Sequence, residues 1–152
     1  MDKRLLKTYL RNFPVPEPII GAILGGIGLH VLAPLPLIPN RPMIRKAGAG
    51  CLAIGGTVIV RSTAEAMNMR IAEPERLLTT GAYRWSRNPM YLGWLAVTVG
   101  IGLLLRMFWV ILGSAAAFIV FDRITIPGEE QTLTEHFGEA YEAYCDRVPR
   151  YL

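Results

Sequence analysis

The chain has 152 residues and carries 16 Lys and Arg against 12 Asp and Glu, a formal charge of +4, with 52% of residues apolar and 18% charged. Soluble domains run at roughly 45–50% apolar with glycine included and about 25% charged, so this composition excludes an ordinary soluble domain, and its apolar content excludes a disordered chain. Two cysteines exclude a disulfide-rich scaffold, and two histidines, His30 and His136, leave little room for a metal site. The isoelectric point near 9.3 raises the question of nucleic acid, but the basic residues are spread between apolar runs, as in membrane loops. The expected partner is therefore the lipid bilayer, with no nucleic acid and no metal.

Four apolar runs follow in chain order: Pro18 to about Ile38, Ala47 to Val60, Pro89 to Leu105, and Met107 to Phe121 with an extension towards Ile126. A spanning helix needs about 20 apolar residues, and four such runs in so short a chain point to about four transmembrane helices. Pro34 and Pro36 interrupt the end of the first run. It follows Lys3, Arg4, Lys7 and Arg11 but lacks an A-x-A-like cleavage site, so it reads as a membrane helix rather than a signal peptide. Small residues recur at four-residue spacing: Gly21 and Gly25, then Ala47, Cys51 and Gly55, then Ala96 and Gly100, then Gly113 and Ala117. Such spacing lets helix backbones approach closely in lipid.

Only Arg106 separates the third and fourth runs, which forces an antiparallel hairpin of 89–105 and 107–121. Four spans with the N-terminus inside put nine basic residues on the cytoplasmic side before the tail and four outside, as the positive-inside rule favours. Segment 61–88 and the tail 122–152 then share the cytoplasmic face, and 61–76 is a candidate short interfacial helix. The expectation is an all-α integral membrane protein of one domain, 1–152, with its chemistry in about 77–152.

The first polar stretch, Leu77 to Trp94, reads LLTTGAYRWSRNPMYLGW. Pro89 suits the first turn of the third helix, with Asn88 as its N-cap. Arg84 and Arg87 precede that helix, where backbone N–H groups and the macrodipole already favour an anion. In the second stretch, Thr132 to about Arg147 reads as one helix with Leu133, Phe137, Tyr141 and Tyr144 on a single face and Glu135, Glu139, Glu142 and Asp146 on the other. A helix lying on an anionic membrane surface needs a basic polar face, so this stripe is expected to pack on the protein's own core. Glu129 and Glu130 stand where the fourth run leaves the membrane, and paired carboxylates buried there are functional candidates.

GAYRWSRNPMYLGW, an apolar hairpin and then EEQTLTEHFGEAYEAYCDRVPRYL together resemble the isoprenylcysteine carboxyl methyltransferase and phospholipid methyltransferase-like membrane family. The resemblance covers about the second half of the chain. It rests on Gly81, Tyr83, Arg87, Pro89, Tyr91 and Gly93, then on Glu129, Glu130, Leu133, Phe137, Gly138, Tyr141, Tyr144, Val148, Pro149 and Arg150. Asn88 stands where the family usually has His; Asn keeps a donor and an acceptor but cannot act as a base near neutral pH.

The resemblance implies S-adenosylmethionine as methyl donor, held by the C-terminal half and facing the cytoplasm, and a lipophilic acceptor arriving from the bilayer: a prenylcysteine-like carboxylate or a lipid amine. In a prokaryote that membrane would be the inner membrane. The nearby Gly25-Gly26-x-Gly28 lies within a spanning run with no preceding strand, so it is no dinucleotide fingerprint. Arg87 and Glu130 are the candidate catalytic residues. Gly81, Tyr83, Asn88, Pro89, Tyr91, Gly93, Glu129, Tyr141, Tyr144 and Arg150 are the candidate cofactor-binding ones. The alternatives are an NADPH-dependent lipid or sterol-type reductase, whose 2′-phosphate would need more positive charge than a tail with three Arg and seven acids, and a non-catalytic protein of the same fold.

Overall fold

Proline sets where most of the helices begin. In the computed structural model, which describes residues 16–66 and 76–152, α1 (Glu17–Leu32) has Pro18 in its first turn, α2 (Pro42–Ala66) starts on Pro42, and α3 (Pro89–Leu105) starts on Pro89. Proline's missing N–H is redundant in a first turn and its fixed φ is already helical. Pro34 and Pro36 act in the opposite sense, stopping α1 at Leu32, six residues before the end of the apolar run. α2 is longer than its apolar core of Ala47–Val60, running on through Arg61. The candidate interfacial helix 61–76 therefore begins as the end of α2, and positions 67–75 lie outside the described residues.

α3 ends at Arg106, whose left-handed φ of 59° turns the chain into α4 (Phe108–Val120). α4 does not stop at Phe121. It passes through one π turn, Phe121–Thr125, into α5 (Ile126–Phe137), one continuous helix of 30 residues that is apolar in its first part and polar towards Phe137. Pro127 accounts for the π turn: it has no N–H for the carbonyl of Arg123 four residues back, and its ring crowds that carbonyl, so the ladder slips by one residue.

The tail corrects the expectation of one helix over 132–147. Gly138, at φ 48° and ψ −126°, breaks it into α5 and α6 (Glu139–Cys145), a conformation open to glycine and strained for any other residue. The apolar stripe survives the break. Tyr141, Tyr144 and Val148 form a core with Leu77, Leu133, Phe137 and Cys145, and the acids of the other face are exposed.

The four long helices run up and down, with α2 against α3, α3 against α4, and α4 against α1. Close packing rests on small residues, as the spacing predicts. A Cβ on Gly55 would lie 2.6 Å from the carbonyl oxygen of Gly93, and one on Gly26 2.7 Å from the Cα of Val110. The first run is used on a different face from the one expected. Gly21 and Gly25 are exposed with nothing within 4 Å, while Ala22 and Gly26 meet α4. Gly55→Leu should consequently destabilise the protein by about 1–3 kcal/mol through overpacking, and Gly25→Leu should leave it unchanged; thermal unfolding in detergent measures both.

The described residues contain no strand, and two helices, Pro42–Ala66 and Phe108–Phe137, are long and apolar enough to cross a membrane. α1 and α3, of 16 and 17 residues, are shorter apolar helices alongside them. At one end of the bundle Arg106 Nε donates to Ile38 O (3.1 Å) and Trp109 Nε1 to Ala33 O (2.7 Å). At the other end the two polar stretches meet.

Candidate functional site

A cavity of about 710 Å³ opens at that second end, within the usual range of about 300–1,000 Å³ for small-molecule sites. Its walls come from the starts of α1 and α3, the end of α2, the segment 76–88, the π turn, α5 and α6. Tyr83, Arg87, Asn88, Pro89, Tyr91, Glu129, Glu130, Tyr141 and Tyr144 all line it. The hairpin explains the convergence: α3 leads away from this end and α4 returns to it, so residues some 40 positions apart face one space. Leu77, Leu78, Met90, Val120, Phe121 and Leu133 add apolar lining, and Glu17, Arg76, Thr125 and Thr132 add further polar groups.

Three candidate residues stand outside the lining: Gly81, Gly93 and Arg150. Gly93 is a packing residue against α2. Gly81 has a φ of 57° and opens a single 3₁₀ turn, Gly81–Arg84. A side chain there would run into the carboxylate of Glu65, which accepts the Ala82 N–H at 3.1 Å. Arg150 lies behind the cavity wall and holds Glu130 from there. Its Nε donates to Glu130 Oε1 at 3.2 Å and its Nη2 to Oε2 at 2.5 Å. Arg87 approaches the same carboxylate, Nη2 to Oε1, at 3.4 Å, and its Nη1 donates to Cys145 Sγ. Glu130 is thus shared by two guanidiniums. The Nε–H of Arg87 is buried with no hydrogen-bond partner.

Glu129 is placed differently. Its side chain is exposed into the open cavity, and its Oε1 accepts the Tyr91 hydroxyl at 2.5 Å. The Tyr91 ring packs on Phe121 of the π turn, centroids 4.6 Å apart. Arg84, the other arginine expected to meet an anion, is exposed and away from the cavity.

Asn88 occupies the N-cap position of α3 without capping it through its side chain. Its Nδ2 instead donates to Arg150 O at 3.3 Å, and its backbone N–H donates to Ser86 Oγ at 3.1 Å. Ser86 Oγ in turn donates to Arg150 O, and the Arg87 N–H donates to Pro149 O at 3.0 Å. The Val148–Pro149–Arg150 element is thereby laced to the start of α3. Tyr144 closes the same seam, donating to Tyr83 O at 2.6 Å. Burial pushes its hydroxyl up to about 12, a shift the neighbouring Arg87 opposes. Burial likewise raises Tyr83 and Tyr141, helped by the charges of Glu65 and Glu130 respectively. All three phenols stay protonated donors at any working pH.

Reading the residues alone missed Glu65, Ser86, Cys145 and the pair Asp122–Tyr151, in which Tyr151 donates to Asp122 Oδ1 at 2.8 Å. Asp122, an acid immediately after the fourth apolar run, was the signal available for that pair. Among the described residues no cluster of His, Cys, Asp and Glu could hold a metal.

Comparison with known proteins gives this arrangement its kinship. The chain is 35% identical over 78 residues to the protein-S-isoprenylcysteine O-methyltransferase of Xenopus laevis, covering 51% of this chain and 27% of that protein. It is 34% identical over 89 residues to protein-S-isoprenylcysteine O-methyltransferase B of Arabidopsis thaliana, with 59% and 45% covered. With the Dictyostelium discoideum protein-S-isoprenylcysteine O-methyltransferase it shares 30% over 108 residues, 66% and 46% of the two chains. The chain thus spans less than half the length of each of these relatives. The sequence pattern of the phospholipid methyltransferase family matches residues 44–140, most of α2 through to the start of α6, and the chain belongs to that family.

Proposed function

We propose that this protein is an integral membrane methyltransferase that uses S-adenosylmethionine and methylates a lipophilic acceptor, a prenylcysteine-like carboxylate or a lipid amine. The observation that carries the proposal is the pairing, in one cavity, of Arg87 with a buried and unpartnered Nε–H and Glu129 with an accessible carboxylate. One cation with a spare donor and one free anion are what the zwitterionic methionine end of the cofactor asks for. Family membership and the names of the relatives point the same way.

S-adenosylmethionine, when bound, supplies a methyl group already activated by the sulfonium. The residues of this chain have positioning work to do. Arg87 holds a carboxylate. Glu129, steadied by the Tyr91 hydroxyl, holds an ammonium or a hydroxyl, or takes the proton that an amine acceptor releases. Glu130 already accepts from Arg150 with both oxygens and faces Arg87; its part is to fix Arg87. Leu77, Leu78, Met90 and Phe121 exclude water and receive the acceptor's apolar part.

We place the cavity on the cytoplasmic face, with α1 and α3 crossing the membrane beside the two longer helices and residues 77–152 as the catalytic half of one domain. The count of basic residues supports this orientation. Cysteine labelling from outside intact cells should reach a probe near Arg106 and not one near Arg150; the reverse pattern inverts the topology.

The test of function is binding of radiolabelled S-adenosylmethionine to detergent-purified protein, with S-adenosylhomocysteine as competitor and NADPH in parallel. Saturable, competed binding with no response to NADPH is the expected result. Binding of NADPH alone makes the reductase reading the right one, and binding of neither leaves a non-catalytic membrane protein.

A further inference from the structure

We propose that Asp122, outside the cavity, is a positioning residue for the site, acting through Arg150 and Glu130 on Arg87. The proposal rests on the methyltransferase reading and goes beyond it by assigning work to the π turn and to the tail. Tyr151 donates to Asp122 Oδ1 at 2.8 Å and Arg150 Nη1 lies 3.4 Å from the same atom. The rest of the Arg150 guanidinium grips both oxygens of Glu130, and Glu130 is in turn 3.4 Å from Arg87. The Tyr151 ring is fixed against Phe118, centroids 5.2 Å apart. An anion, a cation, an anion and a cation therefore alternate from the π turn to the cavity wall.

The register of the long helix makes this possible. Asp122 and Glu130 are eight residues apart. On an unbroken α-helix, at about 100° per residue, their side chains would diverge by about 80°. The π turn over Phe121–Thr125 accommodates one additional residue, about 100° of rotation, which brings the two carboxylates to within about 20° of one face. A single guanidinium can then serve both. Arg150 alone would be free to swing with its flexible side chain; Asp122 and Tyr151 fix its far side.

The experiment measures S-adenosylmethionine affinity for the purified wild type, Asp122→Asn, Arg150→Met and the double variant, with Arg123→Ala as control. Arg123 also contacts Asp122, at 3.3 Å, but is 79% exposed, and such surface pairs contribute little. The expected result is about a tenfold loss for Asp122→Asn, a larger loss for Arg150→Met, and a double variant no worse than Arg150→Met, with Arg123→Ala within twofold of wild type. Wild-type affinity in Asp122→Asn, multiplying losses in the double variant, or an equal loss in Arg123→Ala would overturn the proposal. Failure of wild type to bind at all sinks the methyltransferase reading instead, and the relay is then judged on melting temperature without ligand. Asp122→Asn and Glu130→Gln should there be less than additive; strict additivity dismisses it.

Discussion

Arg87→Ala is expected to weaken S-adenosylmethionine binding at least a hundredfold while the protein still folds. Glu130 keeps both of its bonds from Arg150 in that variant, so no carboxylate is orphaned and the wall of the cavity stands. What disappears is the cation whose buried Nε–H has no partner in the protein. An anion left unpaired in a partly shielded site costs of order 3–5 kcal/mol, and each 1.4 kcal/mol is tenfold in affinity. Arg87→Lys should recover little, because an ammonium cannot face Glu130, Cys145 and a ligand at once as the planar fork does. Asn88→Ala removes one neutral bond to the Arg150 carbonyl, about 0.5–1.5 kcal/mol, and should stay within roughly tenfold of wild type. Equilibrium binding with the three variants decides the matter. Near-normal affinity in Arg87→Ala alongside a dead Asn88→Ala would make Arg87 an interface residue and reverse this division of roles.

The meeting of Arg87 with Glu130 was legible from the sequence because the one-residue link at Arg106 leaves the hairpin no other geometry. The stripe of Leu133, Phe137, Tyr141 and Tyr144 was legible too, since its spacing keeps one face even across the break at Gly138. Three features were not. Four-residue spacing of small residues exists on two faces of α1, and only the partner helix selects Ala22 and Gly26 over Gly21 and Gly25. Asn88 looked like a side-chain cap because Asn-Pro commonly opens a helix, but its side chain is turned to the tail carbonyl of Arg150, distant in sequence. The grip of Arg150 on Glu130 depends on a π turn, a backbone slip that hydrophobic periodicity does not register. Pro127 gives its physical cause without announcing it: a proline near the start of α5 reads equally well as an ordinary helix break.

Glu129→Gln and Glu130→Gln should separate function from stability, although the two residues are adjacent and carry the same charge. Glu130 lies between Arg87 and Arg150, with side chains 18%, 17% and 34% exposed in that order. Neutralising it leaves two half-buried guanidiniums facing an amide, a like-charge arrangement with part of its desolvation uncompensated. The loss should approach the lower end of the range for a broken buried pair, about 3 kcal/mol. For a chain of this size that is a fall in melting temperature of roughly 6–12 °C. Arg87 loses its support as well, so ligand binding falls with stability. Glu129 instead accepts from the Tyr91 hydroxyl, a donor that a glutamine oxygen satisfies equally well. Glu129→Gln should therefore melt within about 1 kcal/mol of wild type. It should nonetheless bind S-adenosylmethionine about ten- to a hundredfold more weakly, since a hydrogen bond to a charged group contributes about 1.5–3 kcal/mol. Melting curves and binding isotherms on the same preparations read the two effects apart. An unchanged melting temperature in Glu130→Gln would show that the two arginines do not depend on the shared carboxylate, and full affinity in Glu129→Gln would return the anionic role to Glu130.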